Sequence, residues 1–154
     1  MKIAKLTVLF LIINFGSLAL GSWLMNNGTT SSWYLNLNKA PWTPPGWVFG
    51  VAWTTIMVCF SIYLAYLFKD HNSTFLKTLY GVQIFLNIIW NYVFFNQQQI
   101  HLGLVVIVLL TLVIGYFFIK FQLDNMKAIR YLLLPYFIWL LLATSLNAYI
   151  SIYN

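Results

Sequence analysis

The chain has 154 residues, 62% of them apolar and 6% charged, where a soluble domain carries about a quarter charged. Two acids, Asp70 and Asp124, stand against eight basic residues, for a formal charge of +6. That inventory cannot cover a water-exposed monomeric surface; it excludes an ordinary soluble domain and indicates an integral membrane protein.

Charge-free stretches run from Leu6 to Asn38, Ala40 to Phe68, Thr78 to Ile119 and Tyr131 to Asn154. A spanning helix needs about 20 predominantly apolar residues, so the third stretch has room for two. The first helix is expected at 5–26. Lys2 and Lys5 before an apolar run resemble a signal peptide. The run is long, however, and no Ala-x-Ala-like cleavage site is evident, so a retained span is expected. Within it, Ser17 to Gly21 forms a small-xxx-small pattern that could serve dimerisation.

Next comes the longest irregular stretch, 27–45, expected on the outer side. Trp33, Tyr34 and Trp42 with Pro41, Pro44 and Pro45 argue against disorder. It reads either as an interfacial aromatic belt or as a structured lid over the bundle. The second helix is expected at 46–68, capped by Thr43 with Pro44 at its first position. The third, 79–97, and the fourth, 102–121, are separated by the polar run Asn96-Gln97-Gln98-Gln99-Ile100-His101. The fifth is expected at 130–151, with Pro135 adjusting its entry. Runs such as Leu104 to Leu110 do not alternate, which excludes a strand barrel. The predicted fold is all-α, one five-helix transmembrane bundle over 1–154.

Five spans put Lys2, Lys5, Lys69, Lys77, Lys120, Lys127 and Arg130 on one side and Lys39 alone on the other. This asymmetry predicts a multi-pass protein, of a bacterial cell membrane, with a cytoplasmic N-terminus and an outside C-terminus. The basic charge then reflects topology and contact with lipid head groups, and gives no reason to expect nucleic acid. Cys59 has no partner in the chain for a disulfide.

No Asp, Glu, Lys or Arg lies within an expected span, so ion-coupled transport and Schiff-base chemistry lack their groups. His71 and His101 fall at separate turns without carboxylate or thiol companions, so no metal site is expected. Triads, paired carboxylates and phosphate loops are missing as well, and no cofactor is expected. The remaining tools are aromatic faces, amides and hydroxyls.

Three helical stripes concentrate those tools. Asn87, Asn91, Phe94 and Gln98 share one face of the third helix, bordered by Trp90. Tyr136, Trp139, Ala143, Leu146 and Asn147 form a second on the fifth, and Phe49, Trp53 and Met57 a third on the second helix. Amide-linked helix packing accounts for each stripe singly. Together, beneath an aromatic loop, they predict a pocket for a flat, apolar ligand.

The same residues resemble a known family. Trp33-Tyr34, then Lys39-Ala40-Pro41-Trp42-Thr43-Pro44-Pro45-Gly46-Trp47-Val48-Phe49-Gly50 and Trp53-Thr54, are similar to the TspO/MBR family of tryptophan-rich sensory and translocator proteins. Leu86-Asn87-x-x-Trp90-Asn91-x-x-Phe94-Phe95 resembles its third-helix motif, and Pro135-Tyr136-x-x-Trp139-x-x-x-Ala143-Thr144-x-Leu146-Asn147 its fifth. The resemblance implies a homodimeric five-helix bundle that binds porphyrins, notably protoporphyrin IX, and often sterols or synthetic ligands. It implies a pocket lined by Tyr34, Trp42, Pro44, Trp53, Met57, Asn91, Phe94, Gln98, Trp139, Ala143 and Leu146. It also implies that Trp53 and Trp139 would be the two indoles of a porphyrin-degrading activity that some bacterial members have.

Two departures stand out. Lys39-Ala40-Pro41-Trp42 replaces the common Lys-Pro-x-Trp, and no basic residue follows Tyr149 or Tyr153 as in the cholesterol-recognition stretch of animal members. A porphyrin receptor, possessing or lacking degradative activity, is the leading expectation. A transporter of porphyrin, sterol or another amphiphile, and a non-catalytic regulator acting through a partner, are the alternatives.

Overall fold

The computed structural model describes residues 2–121 and 127–154. Its helices are α1 (Ile3–Leu24), α2 (Ser32–Asn36), α3 (Gly46–Asp70), α4 (Thr74–Asn91), α5 (Ile100–Lys120) and α6 (Leu134–Tyr153). A 3-10 turn, Gly28–Thr30, precedes α2; a π turn, Tyr92–Asn96, prolongs α4; a 3-10 turn, Ile129–Leu133, leads into α6. All but α2 belong to segments long and apolar enough to cross a bilayer, five in number as the charge-free stretches predict. Asp124 lies outside the described residues.

Neighbour relations close the spans into a ring in which α1 lies between α3 and α4, α5 between α4 and α6, and α6 returns to α3. The centre is aromatic. Phe60 packs edge-on against Tyr136 and Phe117, with ring centroids 5.3 and 6.1 Å away, and stacks on Tyr63 at 6.3 Å. These four rings are fully buried. Offset and edge-to-face pairs of this kind give a stiff layer, which closes the half of the bundle remote from α2.

Buried amides are tied across helices, as the apolar surroundings require. Tyr80 Oη donates to Asn14 Oδ1 at 2.7 Å, and Asn14 Nδ2 donates to Ser61 Oγ at 2.8 Å, joining α4, α1 and α3. Gln83 Nε2 donates to Tyr136 Oη at 2.8 Å, joining α4 to α6. Trp90 Nε1 donates to Asn147 Oδ1 at 3.2 Å, while Asn147 Nδ2 donates to Ile100 O at 3.1 Å.

Several details differ from the sequence expectation, each for a local reason. Helix α4 starts at Thr74 rather than 79, because Ser73 Oγ accepts from Leu76 N at 3.1 Å and caps it. Thr43 does not cap α3: its hydroxyl turns back to donate to Ala40 O at 2.7 Å, and Pro45 takes the N-cap position instead. Ser17 and Gly21 are buried inside the chain's own bundle, not displayed for a second copy. A Cβ on Gly21 would lie 2.8 Å from Asn91 Nδ2, so the small residues there allow close approach of α1 and α4.

Candidate functional site

The segment between α1 and α3 is folded, and two helices hold it down. Asn26 takes a left-handed φ of 57° just after α1, and Ser31 Oγ accepts from Tyr34 N at 3.2 Å to start α2. That short helix sets Trp33 against Phe94 and Tyr34 against Phe95, with centroids 5.7 and 5.3 Å apart. Farther along, Trp42 Nε1 donates to Ser145 Oγ at 3.1 Å and the indole meets Tyr149 edge-on at 5.4 Å. The loop is therefore a lid strapped from the π turn after α4 to the end of α6.

Beneath this lid lies a cavity of about 550 Å³. Its floor and one wall come from α3, through Gly46, Phe49, Gly50, Trp53 and Thr54. The opposite wall is Leu18, Ser22, Met25 and Thr29 from α1 and the turn after it, and the roof is Tyr34, Lys39, Thr43 and Pro44. Gly46 and Gly50 leave open space where a side chain would stand, which widens the α3 wall. Below, Trp53 meets Tyr136 edge-on at 5.9 Å, and fully buried Met57 ends the stripe.

A smaller cleft of about 40 Å³ lies on the other side of Phe49, between α4 and α6. Trp90, Phe94, Phe95, Ala143, Leu146, Asn147 and Ile150 line it, and Tyr34, Thr43 and Phe49 line both spaces. Trp90 and Phe94 stack almost parallel, at 5.3 Å and 9°. Phe49 also stands edge-on to Trp139 at 5.2 Å. It is thus the partition between two aromatic compartments.

The expected site residues divide among these spaces. Tyr34, Pro44 and Trp53 line the large cavity; Tyr34, Phe94, Ala143 and Leu146 line the cleft. Trp139 lies behind Phe49 and borders a groove on the outside of α3 and α6 with Ala52 and Pro135. Asn91 packs on Gly21 and donates to Asn87 O at 3.1 Å; Met57 is in the core; Trp42 holds the lid. Gln98, in a left-handed turn with φ 56°, faces a separate surface depression beside His101, Ser151 and Asn154.

Phe49, expected in the pocket stripe of the second helix, lines the cavity, whereas Lys39 and the α1 wall are cavity residues that the site expectation omitted. A signal for the wall was present: Leu18, Ser22, Met25 and Thr29 recur at i, i+4, i+7 and i+11, one helical face. Chemically, the cavity offers aromatic faces, hydroxyls and one ammonium. Thr43 and Thr54 already donate their protons to Ala40 O and Gly50 O, so toward a ligand they can only accept. Burial pushes the Tyr34 phenol upward from its ordinary pKa, which keeps it neutral in the roof.

Comparison with known proteins agrees with this architecture. Residues 7–153 match the TspO/MBR family. A tryptophan-rich sensory protein of Cereibacter sphaeroides is 35% identical over 75% of this chain and 72% of its own length. The tryptophan-rich protein TspO of Archaeoglobus fulgidus is 34% identical over 82% of each chain. The human translocator protein is 32% identical over 79% of this chain and 74% of its own. With five segments among the described residues long and apolar enough to cross a membrane, and a match over nearly its whole length, this chain is an integral, multi-pass membrane protein that belongs to the TspO/MBR family.

Proposed function

We propose that the protein is a membrane receptor that takes a porphyrin, protoporphyrin IX or one like it, into the cavity beneath the lid. One observation carries this reading: a space of about 550 Å³ lined by the aromatic rings of Tyr34, Phe49 and Trp53 together with a small set of hydroxyls and the Lys39 ammonium. That size falls within the range of about 300–1,000 Å³ typical of small-ligand pockets. Flat apolar rings stack on such faces, and the hydroxyls of Ser22 and Thr29 orient what polar atoms they carry.

The reading extends to degradation of the bound porphyrin in light and oxygen, with Trp53 as the indole beside the ligand. Orientation follows from charge: seven cations at one end of the bundle and Lys39 at the other favour a cytoplasmic N-terminus. The lidded cavity then opens on the outer face.

Titration of the purified full chain with protoporphyrin IX, followed by tryptophan emission, tests the reading. Saturable quenching with one porphyrin per chain is expected. Quenching that rises linearly, without saturation, contradicts it.

A further inference from the structure

The large cavity contains one charged side chain, Lys39, and among the described residues this is the one Lys or Arg on the lid side of the bundle. Asp70 sits at the far end of α3. Among the described residues, then, no Asp or Glu side chain stands on the lid side beside this ammonium.

The ammonium is also fixed. Lys39 Nζ donates to Tyr34 O at 2.7 Å and to Leu35 O at 3.2 Å, and lies 4.7 Å from the centre of the Tyr34 ring. An ammonium has three N–H donors, so two are used and one remains. Closing the end of α2 accounts for the two carbonyl bonds. It does not account for the charge: carbonyl oxygens and a ring face leave the positive charge of this half-buried ammonium without a carboxylate partner at the cavity wall. An anionic group entering the cavity would pair with it through the third N–H, and charge-assisted bonds of this kind are the strong ones.

We infer that the cavity selects flat, apolar ligands that bear a carboxylate, and that Lys39 is the group that receives it. The inference deepens the porphyrin reading and rests on the same cavity, but concerns the acid group and not the ring. Lys39 is already immobilised by its own chain, so little side-chain freedom is lost when the acid arrives. Esters and other neutral ligands of the same shape would fill the cavity and leave the ammonium unpaired.

The test compares acid with ester in the parent, Lys39→Gln and Lys39→Arg proteins. Two probe pairs are used in one detergent: protoporphyrin IX with its dimethyl ester, and 1-pyrenebutyrate with its methyl ester. Each Kd is read by fluorescence. The ratio of ester Kd to acid Kd is expected to fall about tenfold on Lys39→Gln and to be kept by Lys39→Arg. Loss of the α2 closure alone would weaken acid and ester together and leave that ratio unmoved.

An unchanged ratio in both pairs overturns the inference while saturable porphyrin binding leaves the porphyrin reading standing. A Lys39-dependent ratio with the pyrene pair, and no binding of either porphyrin, supports the inference and overturns the porphyrin reading. Failure of all four probes to bind overturns both.

Discussion

The side chain of Asn154 clasps the backbone of Asn38 from both sides. Its Oδ1 accepts from Asn38 N at 2.9 Å, and its Nδ2 donates to Asn38 O at 3.2 Å. Asn38 answers with its own amide, Nδ2 donating to Tyr153 O at 3.1 Å. Two residues 116 positions apart thus hold the lid to the end of α6, while the Trp42–Ser145 bond holds it farther back along the same helix.

Truncation of that clasp should free the lid and spare the bundle. Each bond is worth about 0.5–1.5 kcal/mol net, at the low end here because the site is exposed. In Asn154→Ala, deuterium uptake at the Asn38 amide should rise severalfold, with no change at core amides of α3 and α5. Equal protection of Asn38 in parent and variant would show that the clasp does not hold the lid.

Gly103 should not tolerate a methyl group. A Cβ there would lie 3.0 Å from Phe94 Cδ2, 3.2 Å from Phe94 Cβ and 3.4 Å from Asn147 Oδ1. Overpacking of this kind costs about 1–3 kcal/mol, so Gly103→Ala should lower resistance to denaturation by SDS. Gly16→Ala is the matched control, since nothing lies within 4 Å of its Cβ position. Equal stability of the two variants would contradict the packing described.

The Asn14 amide should be coupled to Tyr80. Replacing Asn14 by Leu leaves the Tyr80 hydroxyl without its acceptor in the core, which costs about 1–3 kcal/mol. Adding Tyr80→Phe removes that stranded group. The double variant should therefore be more stable than the sum of the single losses predicts, by about 0.6–2 kcal/mol on a membrane-protein scale. Strict additivity would mean that the bond makes no contribution.

If the protein consumes porphyrin, its two indoles should differ. Trp53 lines the cavity, whereas Trp139 stands behind Phe49. Trp53→Phe should abolish loss of porphyrin absorbance under light and air, and Trp139→Phe should slow it less. Phe49→Ala joins the two compartments and should raise the contribution of Trp139. A parent rate in both Trp→Phe variants would eliminate the indoles from the reaction.

Spans are legible in this chain because charge is so scarce: each long charge-free stretch holds one spanning helix or, from Thr78 to Ile119, two. Boundaries set by hydroxyls are less legible. Both Ser73 and Thr43 precede helices, yet Ser73 caps and Thr43 turns to Ala40 O, since the Pro44-Pro45 pair already extends the backbone there. The π turn at Tyr92–Asn96 has no sequence mark, and it shifts Gln98 out of register with Asn91 and Phe94. A regular 3.6-residue period placed the three on one face; the structure sends Gln98 to a different depression. The α1 wall carries a legible helical period in Leu18, Ser22, Met25 and Thr29, while the neighbouring Gly21 serves contact with Asn91.

Filling the cavity is the most direct test of the central claim. Gly50 lines the large space, and nothing lies within 4 Å of where its Cβ would stand, so Gly50→Phe can occupy that space without disturbing the core. Protoporphyrin IX titration of this variant, with helicity and thermal unfolding matching the parent, should show no saturable quenching. Saturable quenching at the parent Kd would place the ligand elsewhere and contradict the account.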